Sequence, residues 1–271
     1  MAIRLMVLDV DGTLSDSDGR ISEANKAAVR RAQEAGVVVA LATGRPWQGV
    51  EAICAELGLR GPLMLVNGAL VQAGDEVWLE DYLAPVDVEA VLAYGQRMDG
   101  LVLSTFQPEV VNFWVPSSLN RDWVVEKFHS FCLTRLGLAA RPQDLPRERV
   151  TKAMFMAADP SAVARVLADW PAQLNHLTCA RSYPYLCEIN STKANKGRAL
   201  QVVCARLQVA RQEVLAVGDG EVDLPMLQLA GQAVFVARSA ERPALPGHVV
   251  VTPPGQENAG VAWAVQRFIT G

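Results

Sequence analysis

The chain has 271 residues, of which 51% are hydrophobic and 20% charged, and its formal net charge is -4. Without a dense Lys/Arg run or an apolar stretch long enough to span a bilayer, it offers no electrostatic grip for nucleic acid or anionic lipid and no transmembrane segment, so a small soluble partner is expected. The length predicts either two domains or one large domain plus a smaller one. The start, Met1-Ala2-Ile3-Arg4, runs directly into a strand rather than a cleavable signal. Five cysteines (Cys54, Cys132, Cys179, Cys187, Cys204) are odd in number, widely spaced and set in apolar surroundings, which predicts buried thiols in a reducing, cytoplasmic compartment.

The first element is the apolar run from Leu5, which delivers Asp9 and Asp11 around Val10 and ends in Gly12-Thr13. Strand alternation predicts both carboxylates on one side with Val10 directed into protein. Two like charges held together call for a cation, and aspartate oxygens suit a hard ion such as Mg2+. A twelve-residue calcium loop does not fit, because counting from Asp9 puts Leu14 at the invariant glycine and Arg20 at the bidentate glutamate. An exposed acidic turn with no ligand is the plainer alternative.

A helix capped by Ser22 follows, with Ala24, Ala27, Ala28, Val29 and Ala32 on its buried face and Gly36 as its stop. Val37 to Ala42 is an unbroken apolar run of the kind found in strands covered on both faces, and it ends in Thr43-Gly44-Arg45-Pro46. Pro46 is expected to open a helix running to about Gly58. A third strand, Leu63 to Val66, leads into Asn67-Gly68-Ala69, and a hairpin is expected around Gly74-Asp75. This opening predicts a doubly wound sheet that binds its ligand beyond the carboxyl ends of the strands.

From about Pro85 the pattern changes to a helix (Val86 to Arg97), strands at Leu101 to Phe106 and Val110 to Val115, a helix near Ser118 to Leu136, and a polar loop at Arg141 to Arg149. A strand at Val150 to Ala157, a helix capped by Asp159, and strands at His176 to Ser182 and Tyr185 to Ile189 complete an α+β insert with an antiparallel sheet. Its Trp114, Trp123, Trp170, Tyr183 and Tyr185 are expected to serve packing, and His129 and His176 to be ordinary structural histidines. Alternation then resumes with a helix from Lys196-Gly197 and a strand from Val214 ending in Gly218-Asp219-Gly220-Glu221-Val222-Asp223. Another helix, two short strands and a last helix from about Gly260 follow. The predicted fold class is α/β: a doubly wound, mostly parallel, Rossmann-like core of residues 1–83 and 187–271, with an α+β cap at 84–186.

Four signals stand in order: Asp9-x-Asp11-Gly12-Thr13, Thr43-Gly44-Arg45, Lys196-Gly197, and Gly218-Asp219 with Asp223. Together with Leu65-Val66-Asn67-Gly68-Ala69 and Met226, this combination resembles the haloacid dehalogenase-like superfamily, and within it the Cof-type phosphatases with a large cap inserted after the third core strand. The resemblance implies that Asp9 is the nucleophile that forms an aspartyl-phosphate, and that Asp11 is the general acid and base. It also implies phosphate binding by Thr43, Gly44 and Lys196, and Mg2+ held by Asp9, the backbone carbonyl of Asp11, Asp219 and Asp223. The expected activity is Mg2+-dependent hydrolysis of small phosphorylated metabolites such as sugar phosphates, with a phosphomutase or a non-catalytic phosphometabolite-binding protein as alternatives. Specificity is expected in the cap, with Arg45, Arg181, Tyr183 and Tyr185 as candidates. Two positions depart from the family pattern: Val222 stands where asparagine is usual, and Arg238-Ser239-Ala240 lacks the asparagine often found before that alanine.

Overall fold

The computed structural model describes residues 2–16, 18–238 and 242–271; Ser239 and Ala240, where one departure from the family pattern falls, lie outside them, as does Met1. In chain order the elements are β1 (Leu5–Leu8), α1 (Glu23–Glu34), β2 (Val38–Ala42), α2 (Glu51–Leu57), β3 (Leu63–Leu65), β4 (Leu70–Ala73) and β5 (Glu76–Glu80). Then come α3 (Pro85–Gln96), β6 (Leu101–Phe106), β7 (Val111–Trp114), α4 (Arg121–Ser130), β8 (Leu136–Leu138), β9 (Lys152–Ala157), α5 (Pro160–Ala168), β10 (Leu177–Tyr183) and β11 (Leu186–Ser191). The last stretch holds α6 (Lys196–Leu207), β12 (Val214–Gly218), α7 (Leu224–Leu229), β13 (Gln232–Phe235), β14 (Val249–Val251) and α8 (Gly260–Val265). Two compact units result: residues 1–44, 52–79 and 195–271 in the first, and residues 45–51 and 80–194 in the second.

The first unit carries the sheet β14-β13-β12-β1-β2-β3-β4-β5. Its strands from β14 to β3 are parallel, and β4 runs antiparallel to β3. All four residues of β1 are buried, because helices cover both faces of a parallel sheet and leave no side to water. Chain order reverses on either side of β1, which pairs with β2 and with β12, and that reversal opens a crevice beyond the strands' carboxyl ends. α1 starts as expected, with the Ser22 hydroxyl accepting from the Asn25 backbone N–H. Ala24, however, is exposed, and Asn25 takes the buried position. The Asn25 side chain donates to the Leu14 carbonyl at 3.1 Å and accepts from the Ala262 N–H at 3.1 Å, tying the turn after β1 to the start of α8.

The second unit carries the sheet β10-β11-β9-β6-β7-β8. It is antiparallel except for the β7–β8 pair. Leu103, Phe155 and Ile189 pack with α3 and α5 on one face, while Val102, Phe113 and Met156 pack with α4 on the other. The helix expected to reach Leu136 is shorter. Asn120 caps it through the N–H groups of Asp122 and Trp123, and Cys132, at φ 59°, reverses the chain after Phe131. The released residues 136–138 then pair with β7. The helix expected from Pro46 is likewise broken, into a 3₁₀ turn at Trp47–Gly49 closed by Arg45 donating to the Gly49 carbonyl, followed by α2.

The cysteines divide differently from the expectation. Cys54, Cys187 and Cys204 are buried, Cys179 is half-buried and Cys132, on its left-handed turn, is exposed. Trp114, Trp123, Trp170 and Tyr185 pack against the two hydrophobic clusters, whereas Tyr183 is 43% exposed and stacks on Tyr185. His176 pairs with Asp87 at 2.9 Å.

Asn25→Leu is expected to strand the Leu14 carbonyl and the Ala262 N–H, costing about 1 to 3 kcal/mol in urea denaturation. An unchanged midpoint would show that this polar bridge adds nothing to the fold.

Candidate active site

The site is assembled at the carboxyl ends of adjacent strands of the first unit. β1 ends at Leu8, so strand alternation does not extend across Asp9-Val10-Asp11. Instead the chain folds into a closed turn in which the Val10 carbonyl accepts from the N–H groups of Leu14 and Ser15, and Gly12 N–H donates to the Ser15 carbonyl. Val10 is buried as expected, and the two aspartates differ in exposure: Asp9 is buried and Asp11 is exposed. Gly12 stands at φ +93°, and a Cβ there would strike the Asp219 carboxylate, so only glycine fits.

Lys196 enters as the first residue of α6, whose cap, Asn195, accepts from the Arg198 N–H at 2.8 Å. Its ammonium is 1% exposed and donates to Asp9 Oδ1 and Asp223 Oδ1, both at 2.6 Å. The other oxygen of Asp223 accepts from the backbone N–H groups of Asp219 and Gly220, each at 2.9 Å. Asp219 in turn accepts from the Thr13 hydroxyl at 2.9 Å. Asp9, Asp219 and Asp223 each offer an oxygen within 4.8 Å of the others. Asp11 stands outside that group.

The approach to α6 is shaped from the other side by Val66, Asn67 and Gly68, at φ 51°, 55° and 91°. A left-handed valine is costly because its branched Cβ crowds the following carbonyl, so surrounding packing must hold it there. Gly68 packs against the cap of α6: a Cβ on it would come within 2.5 Å of the Asn195 carbonyl. Asn67 N–H donates to the carbonyl of Thr43 at 2.8 Å, fixing the buried Thr43 at the end of β2. Gly44 follows, with Asn67 Oδ1 3.1 Å from where its Cβ would lie.

Electrostatics follow from this crowding. Burial raises the carboxyl pKa of Asp9 well above the usual range, and Asp223 pushes it further, against the pull of Lys196. Burial also raises Asp219, partly offset by the Thr13 hydroxyl. Burial would lower the Lys196 ammonium, but Asp223 and Asp9 together outweigh it and hold it above an ordinary lysine. One ammonium cannot neutralise three carboxylates packed this closely, and an all-oxygen set with this surplus negative charge fits a hard cation.

Two contributors escaped the sequence reading. Thr13 was visible only as part of a motif, and its bond to Asp219 spans two strands. Arg238, just beyond β13, places Nη1 2.6 Å from where a Gly12 Cβ would stand, on the flank shared with Asp219; the sequence marks it only as part of the departure at Arg238-Ser239-Ala240, without assigning it a role at the site. Val222 lies in the turn Glu221–Asp223 with its side chain 59% exposed, so it is not part of the core.

A family model described as haloacid dehalogenase-like hydrolase matches residues 6–265. The chain is 31% identical over 257 residues to the HMP-PP phosphatase of Cronobacter sakazakii, covering 90% of each protein. Among solved structures it resembles a haloacid dehalogenase-like hydrolase from Bacteroides thetaiotaomicron, with TM-score 0.82, 26% identity, and coverage of 98% of this chain and 99% of that one. A subclass IIB sugar phosphatase of the same superfamily shares the fold, with TM-score 0.77, 18% identity and 98% of each chain covered. The chain belongs to the haloacid dehalogenase-like hydrolases.

Lys196→Met removes the ammonium that the buried carboxylates of Asp9 and Asp223 share. Urea denaturation in EDTA should show a loss of about 3 to 5 kcal/mol, partly restored by millimolar Mg2+. Equal stability of the two proteins in EDTA would contradict this account of the cluster.

Proposed function

We propose that the chain is a cytoplasmic, Mg2+-dependent phosphatase of small phosphorylated metabolites, sugar phosphates among them, with its catalytic groups in the first unit and a substrate-selecting cap in the second. Phosphatase chemistry on small phosphorylated compounds accords with the family and with the names of the relatives. The observation that carries the reading is the Lys196 ammonium held 2.6 Å from both Asp9 and Asp223, with Asp219 beside them. It joins a nucleophile to a cation able to receive phosphoryl oxygens.

In this reading an Asp9 oxygen forms a bond to phosphorus as the bond to the leaving oxygen breaks, and Asp11 gives that oxygen a proton. Asp11 then takes a proton from the water that attacks the aspartyl-phosphate, which frees inorganic phosphate and restores Asp9. Thr43 and the Gly44 backbone would hold the phosphoryl oxygens with Lys196. Asp9, Asp219 and the Asp11 carbonyl would hold Mg2+, whose charge offsets the repulsion between carboxylate and phosphate. Asp223, with both oxygens already accepting hydrogen bonds, is better suited to orienting Lys196 and the Asp219 backbone, reaching the metal through water.

The test is release of free phosphate from a panel of phosphorylated metabolites with Mg2+. No release from any of them by folded protein would overturn the reading, and an isomeric phosphate without free phosphate would make the protein a mutase. Asp9→Asn should abolish turnover with the fold intact. Asp11→Asn should lower kcat on a sugar phosphate by about 10²- to 10⁴-fold and far less on p-nitrophenyl phosphate, whose leaving group needs no proton. An equal loss on both substrates would remove Asp11 as the acid.

Val222→Asn adds an amide beside Asp223 at an exposed position, so it should leave the melting temperature unchanged. If the site lacks an outer hydrogen-bonding partner for its metal ligands, the Mg2+ concentration for half-maximal turnover should fall by up to about tenfold. An unchanged Mg2+ dependence would mean that the site works without that amide.

A further inference from the structure

Lys196 is committed to Asp9 and Asp223, which leaves Asp219 facing a different cation. Arg238 Nη1 lies 2.6 Å, and Asp219 Cγ 2.8 Å, from the point where a Gly12 Cβ would stand, so guanidinium and carboxylate flank the same bare stretch of backbone. The charge of Arg238 favours the ionised form of Asp219 and, more weakly than backbone hydrogen bonds do, that of Glu257. Unlike Lys196, Arg238 is exposed, and it follows β13, which lies on the side of β1 opposite β2.

A permanent positive charge beside a metal-ligating carboxylate has a signed consequence. It helps to keep the carboxylate ionised, and it also repels the dication that the carboxylate would bind. For charges a few ångströms apart near the surface, the repulsion between +1 and +2 survives physiological salt in part and weakens binding by about three- to tenfold. A role in merely orienting Asp219 would give the opposite sign, because losing the guanidinium would then loosen the metal.

Resting on the reading that Asp219 helps to hold Mg2+, we propose that Arg238 is a positioning residue that holds down the metal affinity of the site and keeps Mg2+ exchangeable. Arg238 needs no contact with substrate for this, and the effect belongs to the substrate-free protein.

The experiment is calorimetric titration of Mg2+ into the full chain without substrate, for wild type, R238Q, R238K and D219N. R238Q should bind Mg2+ about three- to tenfold more tightly, with the gain shrinking as NaCl is raised, and R238K should match wild type. Thermal unfolding gives the second readout: wild type and R238Q should melt together in EDTA and separate as Mg2+ is added, R238Q higher. Unchanged or weaker Mg2+ binding by R238Q, or a lower melting temperature than wild type in Mg2+, overturns the proposal while leaving the metal site itself standing. If wild type takes up no Mg2+, or D219N binds it as wild type does, the metal reading fails and the proposal falls with it.

Discussion

The Lys196 ammonium, buried between Asp9 and Asp223, is the interaction on which the site depends. Removing a lysine from water costs several kcal/mol, and attraction to a single carboxylate seldom recovers it. Two carboxylates recover more, but they bring their own desolvation, and Asp219 adds a third acid nearby. The cluster therefore cannot reach neutrality with Lys196 alone. Burial raises the pKa of both Asp9 and Asp219, and the neighbouring Asp223 adds to it, so a divalent cation would relieve the cluster where Lys196 alone does not.

Topology makes the cluster possible and also delays it. Asp9 and Lys196 are 187 residues apart, and β1 finds its partner β12 only after the whole second unit has been synthesised. Parallel pairing across such a separation pays its loop entropy before any contact repays it, so completion of the first sheet is expected to be the slow event in folding. The tight seat of α6 against Gly68, and the left-handed run of Val66 and Asn67 before it, belong to the same late step. They have a function only once α6 has arrived.

What the sequence made legible was whatever is written locally. Unbroken apolar runs identified β1 and β2, Ser22 and Asp159 announced their helices, and the strand-end motifs brought Asp9, Asp219, Asp223 and Lys196 into one argument. Local pattern failed where a single backbone angle decides the path. Nothing in Phe131-Cys132-Leu133 says that Cys132 turns left-handed and frees residues 136–138 for a strand. It failed again for side chains whose partners are distant in sequence: Asn25 looks like a surface helical residue until Leu14 and Ala262 close around it, and Arg238 looks like a loop residue until β13 is laid beside β12. The extension of strand alternation through Asp11 was a different failure. Periodicity holds only while the ladder lasts, and the turn that follows Leu8 obeys its own hydrogen bonds.

The resulting difference between the two aspartates supports dividing the chemistry between them. A nucleophile, the role proposed for Asp9, gains from desolvation, because water that stabilises a carboxylate must be stripped away before it can attack, and Asp9 is 6% exposed and hydrogen-bonded by Lys196. A residue that donates a proton and later takes one from water must reach solvent and hold a proton only briefly, and Asp11 sits on the exposed side of the same turn. The Val10 carbonyl closes the turn on Leu14 and Ser15, and within that one tightly folded loop Asp9 is buried and Asp11 exposed, two environments that suit the two roles proposed for them.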